Sequence, residues 1–445
     1  MRKFLTILLL IILSTPVFAQ ALSDKLNELV NAYVTAGKFN GAVLVAQNGN
    51  ILLRKGYGFS NTDTKRVNTP NSIFQIGSIT KQFTSAIIME LQQEGKLSTQ
   101  DMLSKYFPSL PNADKINIEN LLTHTSGLYN YTNDTSFMKG NLTKHYSQQE
   151  MLSLFTKYPP DFEPGTKWNY SNTGYSILGY IIEKVTSEPY EAVVRKRIFE
   201  KLNMSHTGFD FTNLKDTDKT HGYFSIVEGK GFPAPIVDST IAYSAGAIYT
   251  TVGDLYKWER SITNGSILRQ PSWEKIFTPF KNKYGYGWNI DSLYGKPVTS
   301  HGGGIHGYSS YLLRFPKDDI VVIALDNSSN SIGKMANSLA AIVLNQPYQL
   351  PTINKEITLD TAILKQYVGE YQISPNFVIN IMQSGNKLVA QATSQPAVDI
   401  FPKKENVFFL KVVEAELEFV KNTSGEVIEL ILHQGGRDLH GKKVK

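Results

Sequence analysis

A short polar stretch carrying two prolines, from Pro347 to Pro351, divides this chain into two parts whose residue patterns demand different folds. The 445 residues exceed the roughly 250–300 at which a single hydrophobic core stops growing, and a proline-bearing polar segment is where two cores separate. The reading places a first domain over 20–346, a linker over 347–355 and a second domain over 356–445. Beyond the linker the texture is β throughout: Gln366 to Ile373, Phe377 to Met382, Lys387 to Ala392, Val407 to Lys411, Leu417 to Lys421 and Val427 to Leu432 are short apolar-rich runs. Turn signals at Ser384-Gly385-Asn386 and Thr423-Ser424-Gly425 punctuate them. Such a run of strands predicts a small antiparallel barrel or sandwich.

The first part mixes periods. Gly41 to Ala46 and Ile51 to Gly56 flank an Asn48-Gly49 pair, the strongest short hairpin signal. A short helical lead over Leu22 to Ala36 precedes them. From Lys81 the spacing of Phe83, Ile87, Ile88 and Leu91 is helical, and Gly95 is its stop, so a buried helix begins near Ser78. Further helices are expected at Ile118 to Leu122, Gln148 to Lys157, Gly174 to Thr186, Tyr190 to Ile198, Val252 to Ile262 and Ile332 to Asn345. Strands follow at Tyr308 to Phe315 and Ile320 to Leu325, the last an unbroken apolar run suited to the middle of a sheet. Strands at both ends with helices between them imply an α+β domain whose single sheet is assembled from distant parts of the chain.

The chain begins with Arg2-Lys3, an apolar run from Phe4 to Leu13 and Pro16-Val17-Phe18-Ala19. Basic start, short apolar stretch and small-residue ending read as a signal peptide over 1–19. A retained membrane anchor would need about 20 apolar residues. The expectation is an exported protein, periplasmic or secreted, with no stable membrane anchor after cleavage. The chain has no cysteine, which removes disulfides, thiol nucleophiles and Cys-ligated metal centres. Its net charge of +6 is spread without any run of like sign, so nothing favours nucleic acid as a partner.

Chemistry must then come from hydroxyls, amines, carboxylates or imidazoles. Ser78-Ile79-Thr80-Lys81 puts a hydroxyl and an amine three residues apart at a helix start, where the two side chains share a face. A serine becomes a nucleophile when a base takes its proton, and a lysine whose pKa is lowered by burial is such a base. Ser at a helix start is also a common cap, so the motif alone decides nothing. Trp168-Asn169-Tyr170-Ser171-Asn172 offers a phenol to relay a proton and an amide to hold a substrate amide. Ser300-His301-Gly302-Gly303-Gly304-Ile305-His306-Gly307 has four glycines that permit close backbone approach and an imidazole that donates a hydrogen bond or holds charge. A phosphate loop is excluded because no Gly-Lys-Ser/Thr follows. A metal on His301 and His306 lacks a nearby carboxylate, so neither metal nor cofactor is expected. An α/β-hydrolase is excluded because no serine sits in Gly-x-Ser-x-Gly.

Ser78-x-x-Lys81, Tyr170-x-Asn172 and His301-Gly302-Gly303, in that order, together with Leu121-Leu122-Thr123-His124-Thr125-Ser126-Gly127-Leu128 and the stretch Glu163 to Tyr175, resemble the serine β-lactamase and penicillin-binding superfamily. The resemblance lies in the branch around class C β-lactamases, D-aminopeptidases and family VIII carboxylesterases, and covers about residues 25 to 345. It implies the β-lactamase/transpeptidase-like fold, an antiparallel sheet with a helical block, and a serine hydrolase that works through an acyl-enzyme. Carried over, it makes Ser78 the acylated nucleophile, Lys81 its base partner and Tyr170 the general base and acid. Asn172, His301, Gly302 and Gly303 would bind substrate, and the backbone N–H groups of Ser78 and Gly304 would form the oxyanion hole. His-Gly-Gly stands where β-lactamases have Lys-Thr-Gly. A largely neutral imidazole holds a carboxylate less strongly than an ammonium, which points toward small esters, amides or peptides, with β-lactams as poor substrates. The rival reading is a catalytically silent penicillin-binding or peptidoglycan-sensing protein on the same fold. Oligomeric state is not legible in the sequence.

Overall fold

A computed structural model describes residues 20–351, 354–393, 395, 397–413, 415–434 and 437–444; the signal peptide expected over 1–19 lies outside the described residues. Two compact units divide the chain, one built chiefly on residues 38–224 and 231–350 and the other chiefly on 351–445.

The first unit is organised by one antiparallel sheet of six strands: β1 (Gly41–Gln47), β2 (Asn50–Gly56), β3 (Asn289–Leu293), β4 (Lys296–Ile305), β5 (Tyr308–Phe315) and β6 (Ile320–Asp326), in the order β2-β1-β6-β5-β4-β3. The β1–β2 hairpin turns at Asn48 and Gly49, both at positive φ (50° and 77°), the conformation that the Asn-Gly signal requires. In the middle of the sheet β1 pairs with β6, from Gly41 opposite Asp326 to Gln47 opposite Ile320.

Successive residues of a strand point to opposite faces, and here both faces are covered. Ala42, Leu44 and Ala46 enter the large core shared with Phe83, Ile87 and Trp258, whereas Val43 and Val45 enter a second core with Leu26, Val30 and Leu339. That is why β1 and β6 read as unbroken apolar runs rather than alternating ones. The helix over 20–35 and the helix Gly333–Val343 supply the second core; the large core is supplied by the helical block between the two halves of the sheet, including Thr80–Gln93, Asn172–Thr186 and Val252–Asn264. Most expected helices are found within a few residues of their predicted bounds. The exception in type is the second half of Tyr190 to Ile198, where the α-helix stops at Val194 and Arg195–Phe199 forms a π-turn.

The second unit is a closed barrel of eight antiparallel strands, which decides barrel over sandwich. Two of its strands were not foreseen. Val398–Pro402 is short and ends on a proline, and Arg437–Lys443 closes the barrel against Gly369–Ser374 with an almost wholly polar sequence. Gln366 belongs not to the first strand but to a short helix, Thr361–Gln366, whose first turn is capped by the Asp360 carboxylate accepting from the Ala362 N–H at 2.8 Å. Tyr367, Tyr371, Phe408 and Phe419 fill the interior. Among the described residues no helix is long and apolar enough to cross a membrane.

One ion pair ties the helical block to the sheet. Arg314 on β5 is 5 % exposed, and its Nε donates to Glu259 Oε1 at 3.1 Å on the helix Val252–Asn264; its guanidinium lies 5.2 Å from the Phe277 ring centre. Removing one partner of a buried pair strands the other charge, whereas replacing both with apolar groups does not. Arg314→Ala is therefore expected to lower unfolding free energy by about 3–5 kcal/mol in urea titration, and Arg314→Met with Glu259→Leu to recover most of it. A loss under about 1 kcal/mol in the single variant, the size of an exposed pair, would contradict this account.

Candidate active site

The residue before the serine is held where only glycine fits. Gly77 has φ +50°, and a Cβ there would lie 2.8 Å from the Gly304 nitrogen. Gly303 meets the same segment one residue earlier: a Cβ on it would lie 2.0 Å from the Ile76 carbonyl oxygen, which already accepts the Ser310 hydroxyl at 2.7 Å. Strand β3 pairs with β4 only up to Ser300. Beyond that point the glycines let the chain carrying Ser78 lie directly against β4, so Ser78 and Gly304 line one cavity.

Ser78 sits in a 3₁₀ turn, Gly77–Ile79, just ahead of the helix Thr80–Gln93 that carries Lys81. Lys81 is fully buried. Its Nζ lies 3.0 Å from Ser78 Oγ, 2.8 Å from Asn172 Oδ1 and 2.8 Å from the Ala245 carbonyl oxygen. A neutral amine has two N–H donors and one lone pair. Two of the three neighbours are carbonyl oxygens that only accept, so Lys81 Nζ donates to both of them as well as lying within hydrogen-bond reach of Ser78 Oγ. Burial holds the Lys81 pKa well below its ordinary value, because desolvation disfavours the charged form.

The Ala245 carbonyl reaches Lys81 through a strained bend. Within the helix Ser239–Gly246, Tyr243 has φ 38° and ψ −135°, a region costly for any residue but glycine. Its ring stacks on Tyr180 at 4.9 Å, and the bend also gives the Ser244 carbonyl to the Thr84 hydroxyl at 2.6 Å.

Burial pushes the Tyr170 pKa upward, with the nearby Ser78 hydroxyl acting in the opposite direction; it is a phenol, not a phenolate, at neutral pH. The Lys81 amine lies 4.8 Å from the Tyr170 ring centre and His124 packs against that ring at 4.3 Å. His124 accepts the Ser171 N–H on Nδ1 at 3.2 Å, which fixes the backbone beside Tyr170; burial pushes its pKa well below the usual histidine value. Asn172 opens the helix Asn172–Thr186 and is committed at both ends of its amide, Oδ1 to Lys81 and Nδ2 to the Thr132 hydroxyl at 3.1 Å. Its N–H donates to Asn130 Oδ1 at 3.0 Å; sequence reading assigned Asn172 to a substrate amide and missed Thr132, Asn130 and Ala245.

The glycine-rich stretch turns its first histidine inward. His301 was expected to face substrate, yet it is 4 % exposed and both ring nitrogens are used internally. Nδ1–H donates to the Gly302 carbonyl at 2.6 Å, so Nε2 accepts the Tyr284 hydroxyl at 2.9 Å. Burial and the nearby Lys81 push its pKa down to about 3. Gly302 packs beside the Tyr311 ring and Gly303 against Ile76. The cavity of about 350 Å³ beside Ser78 is lined from this stretch by Gly304, Ile305 and His306 instead. Among the described residues no group of three or more His, Asp or Glu side chains is arranged to hold a metal.

This arrangement brings a hydroxyl, a buried amine and a phenol together, with the hydroxyl of Ser78 at a cavity. Residues 26–345 match the Beta-lactamase family model, and 354–443 match a domain of unknown function (DUF3471). Penicillin-binding protein 4* of Bacillus subtilis is 28% identical over 95% of this chain and 99% of its own length. Putative penicillin-binding protein PbpX of the same organism is 32% identical over 72% of this chain and 79% of its own. Among solved structures, the octameric penicillin-binding protein homologue from Pyrococcus abyssi superposes with a TM-score of 0.66 at 26% identity, covering 94% of this chain and 99% of that one. A D-stereospecific amidohydrolase from Streptomyces sp. gives a TM-score of 0.63 at 25% identity over 74% of this chain and 99% of its own.

Neighbouring glycines of β4 should respond differently to a methyl group. Gly303→Ala forces Ile76 away and is expected to destabilise by about 1–3 kcal/mol. Gly304→Ala, with no atom within 4 Å of its Cβ, is expected to leave the melting temperature within about 1 °C of the parent. Equal effects in calorimetry would mean that the Ser78 segment does not rest on β4.

Proposed function

Because the chain belongs to the β-lactamase family, we propose that it is an exported serine hydrolase that cleaves small esters, amides or peptides through an acyl-enzyme on Ser78, with β-lactams as poor substrates. The observation that carries this is the Lys81 amine, whose two N–H groups are taken by Asn172 and Ala245 while Ser78 Oγ lies 3.0 Å away. In the proposed reaction Ser78 Oγ bonds to the acyl carbon as its proton passes to Lys81 Nζ. The backbone N–H groups of Ser78 and Gly304 stabilise the oxyanion. The carbon–leaving-group bond breaks as the leaving atom takes a proton from Tyr170, whose phenolate is refilled from Lys81. Water then attacks the ester with the same groups in reverse, releasing the acid and restoring Ser78. Tyr170 thus acts first as acid and then as base. Export rests on the leader over 1–19, and poor β-lactam turnover on the neutral, internally committed His301. The linker over 347–355 would join a catalytic domain to a separable barrel.

Mass spectrometry after fluorophosphonate treatment is expected to show one adduct, on Ser78, absent from Ser78→Ala, and that substitution should lower turnover at least about 10³-fold. An adduct that persists elsewhere in Ser78→Ala would reject the assignment. A penicillin adduct on Ser78 with no turnover of any ester or amide would favour the silent penicillin binder.

Since the neutral amine is the reactive form, kcat/KM should fall as pH drops through the lowered Lys81 pKa. Lys81→Ala and Tyr170→Phe should each reduce kcat by roughly 10²–10⁴ without additivity. A Lys81→Ala enzyme with the parent's acid limb would assign that limb to another group. A chain ending at Pro351 should keep Ser78 labelling; its loss together with folding would make the barrel part of one cooperative unit.

A further inference from the structure

We propose that His306 is a specificity-determining residue which reads a neutral hydrogen-bonding group on an uncharged, apolar acyl donor lodged beside Ser78. This rests on the acyl-enzyme reading above and names the substrate class for that site.

His306 and Gly307 form the two-residue turn between β4 and β5. Gly307, at φ +80°, lies so close to Gly222 that a Cβ would come within 2.8 Å of it, and its carbonyl accepts the Tyr223 N–H at 3.3 Å. The turn is therefore held in place, and the His306 ring is backed edge-on by Phe224 at 5.6 Å. The imidazole forms part of the cavity wall. Unlike His301, its Nδ1 is buried without a hydrogen-bond partner among the described residues, and in the proposed contact Nε2 is the atom that meets the ligand. Asn172, Thr132 and Ser78 on the same wall already have partners.

The rest of the cavity says what accompanies that contact. Met138, Leu142, Val237, Ile241 and Ile305 make an apolar wall, and among the described lining residues none carries a charge. At about 350 Å³ the space is at the small end of the range of about 300–1,000 Å³ for small-molecule sites. A carboxylate placed there would lose its water without gaining a cation. Burial also lowers the His306 pKa, so at neutral pH the ring pairs with an amide or hydroxyl rather than an anion. An acyl donor bearing one aryl or branched alkyl group and one neutral amide fits these walls.

Three p-nitrophenyl esters separate the contributions: 3-phenylpropionate, N-acetyl-phenylalanine and the monoester of succinate. The parent enzyme should turn over 3-phenylpropionate at least tenfold more efficiently than the succinate monoester, and gain a further factor of about 3–10 from the acetamido group, the size of one neutral hydrogen bond. His306→Leu should erase that last gain, mainly through KM, while 3-phenylpropionate changes less than about twofold; His306→Gln should restore part of it. Loss of the same factor on all three esters, or a preference for the succinate monoester, overturns the proposal. A second measurement needs no turnover. N-acetyl-phenylalanine amide titrated into Ser78→Ala should move the imidazole NMR signals of His306, identified by their absence in the Ser78→Ala, His306→Gln double variant, and leave those of His301 in place. If no ester acylates Ser78, the hydrolase reading falls, and this titration still decides the binding role: shifted His306 signals support it and unshifted ones refute it.

Discussion

A lysine amine buried without a carboxylate is the constraint around which the first unit is arranged. Removing an ammonium from water is expensive unless it is paired or neutralised, and among the described residues no acid is hydrogen-bonded to Lys81. Carbonyl oxygens take its place, and supplying them shapes three separate helices. The helix Thr80–Gln93 carries the amine, the start of Asn172–Thr186 supplies an amide oxygen, and the bent helix Ser239–Gly246 supplies a backbone carbonyl. Close packing of the last two is possible because Gly179 has no side chain: a Cβ there would fall 2.2 Å from Ser244 Oγ. The strain at Tyr243 is tolerated because Tyr180 and Tyr190 hold its ring on either side.

Aromatic rings do the insulating. His124, Tyr175 and Tyr284 pack around Tyr170 and Lys81, with the His124 ring centre within 5.2 Å of all three tyrosines. The Tyr175 hydroxyl donates to the Leu122 carbonyl and the Tyr284 hydroxyl to His301 Nε2, whereas His124 Nε2 is buried without a partner among the described residues; in such a low-dielectric layer fixed dipoles act strongly. His301 belongs to this inner layer and His306 to the cavity.

The side chains that meet at Ser78 were legible because their motifs carry their own geometry: three residues along a helix start bring Ser78 to Lys81 whatever the rest of the chain does. Tyr170 and Asn172 needed the order of the motifs, since an isolated Tyr-x-Asn has no spatial meaning. The Ala245 carbonyl was invisible because every residue has one, and only the fold says which of them points at an amine. The placement of His301 was hidden for a related reason. Its identity suggested ligand recognition, but the direction of a strand side chain depends on register, and this one turns inward to Tyr284. In the barrel, Arg437–Lys443 was missed because a polar strand paired on both sides leaves no apolar pattern to read.

The pairing of β1 with β6 joins residues 41–47 to residues 320–326, which has a consequence for synthesis. Until the ribosome has made the last of these strands, the first hairpin has no neighbour on its inner edge, and β4 and β5 are not yet present to receive the Ser78 turn. Contacts of such sequence separation form late, after most of the chain's configurational freedom has been surrendered. A nascent or prematurely terminated chain would therefore hold Ser78 and Lys81 on one helix start and still lack the dry surroundings that lower the amine's basicity. The surroundings of Lys81 are thus completed only when the sheet is, and a chain that stops short of residues 320–326 lacks the strand that joins the two halves of the sheet.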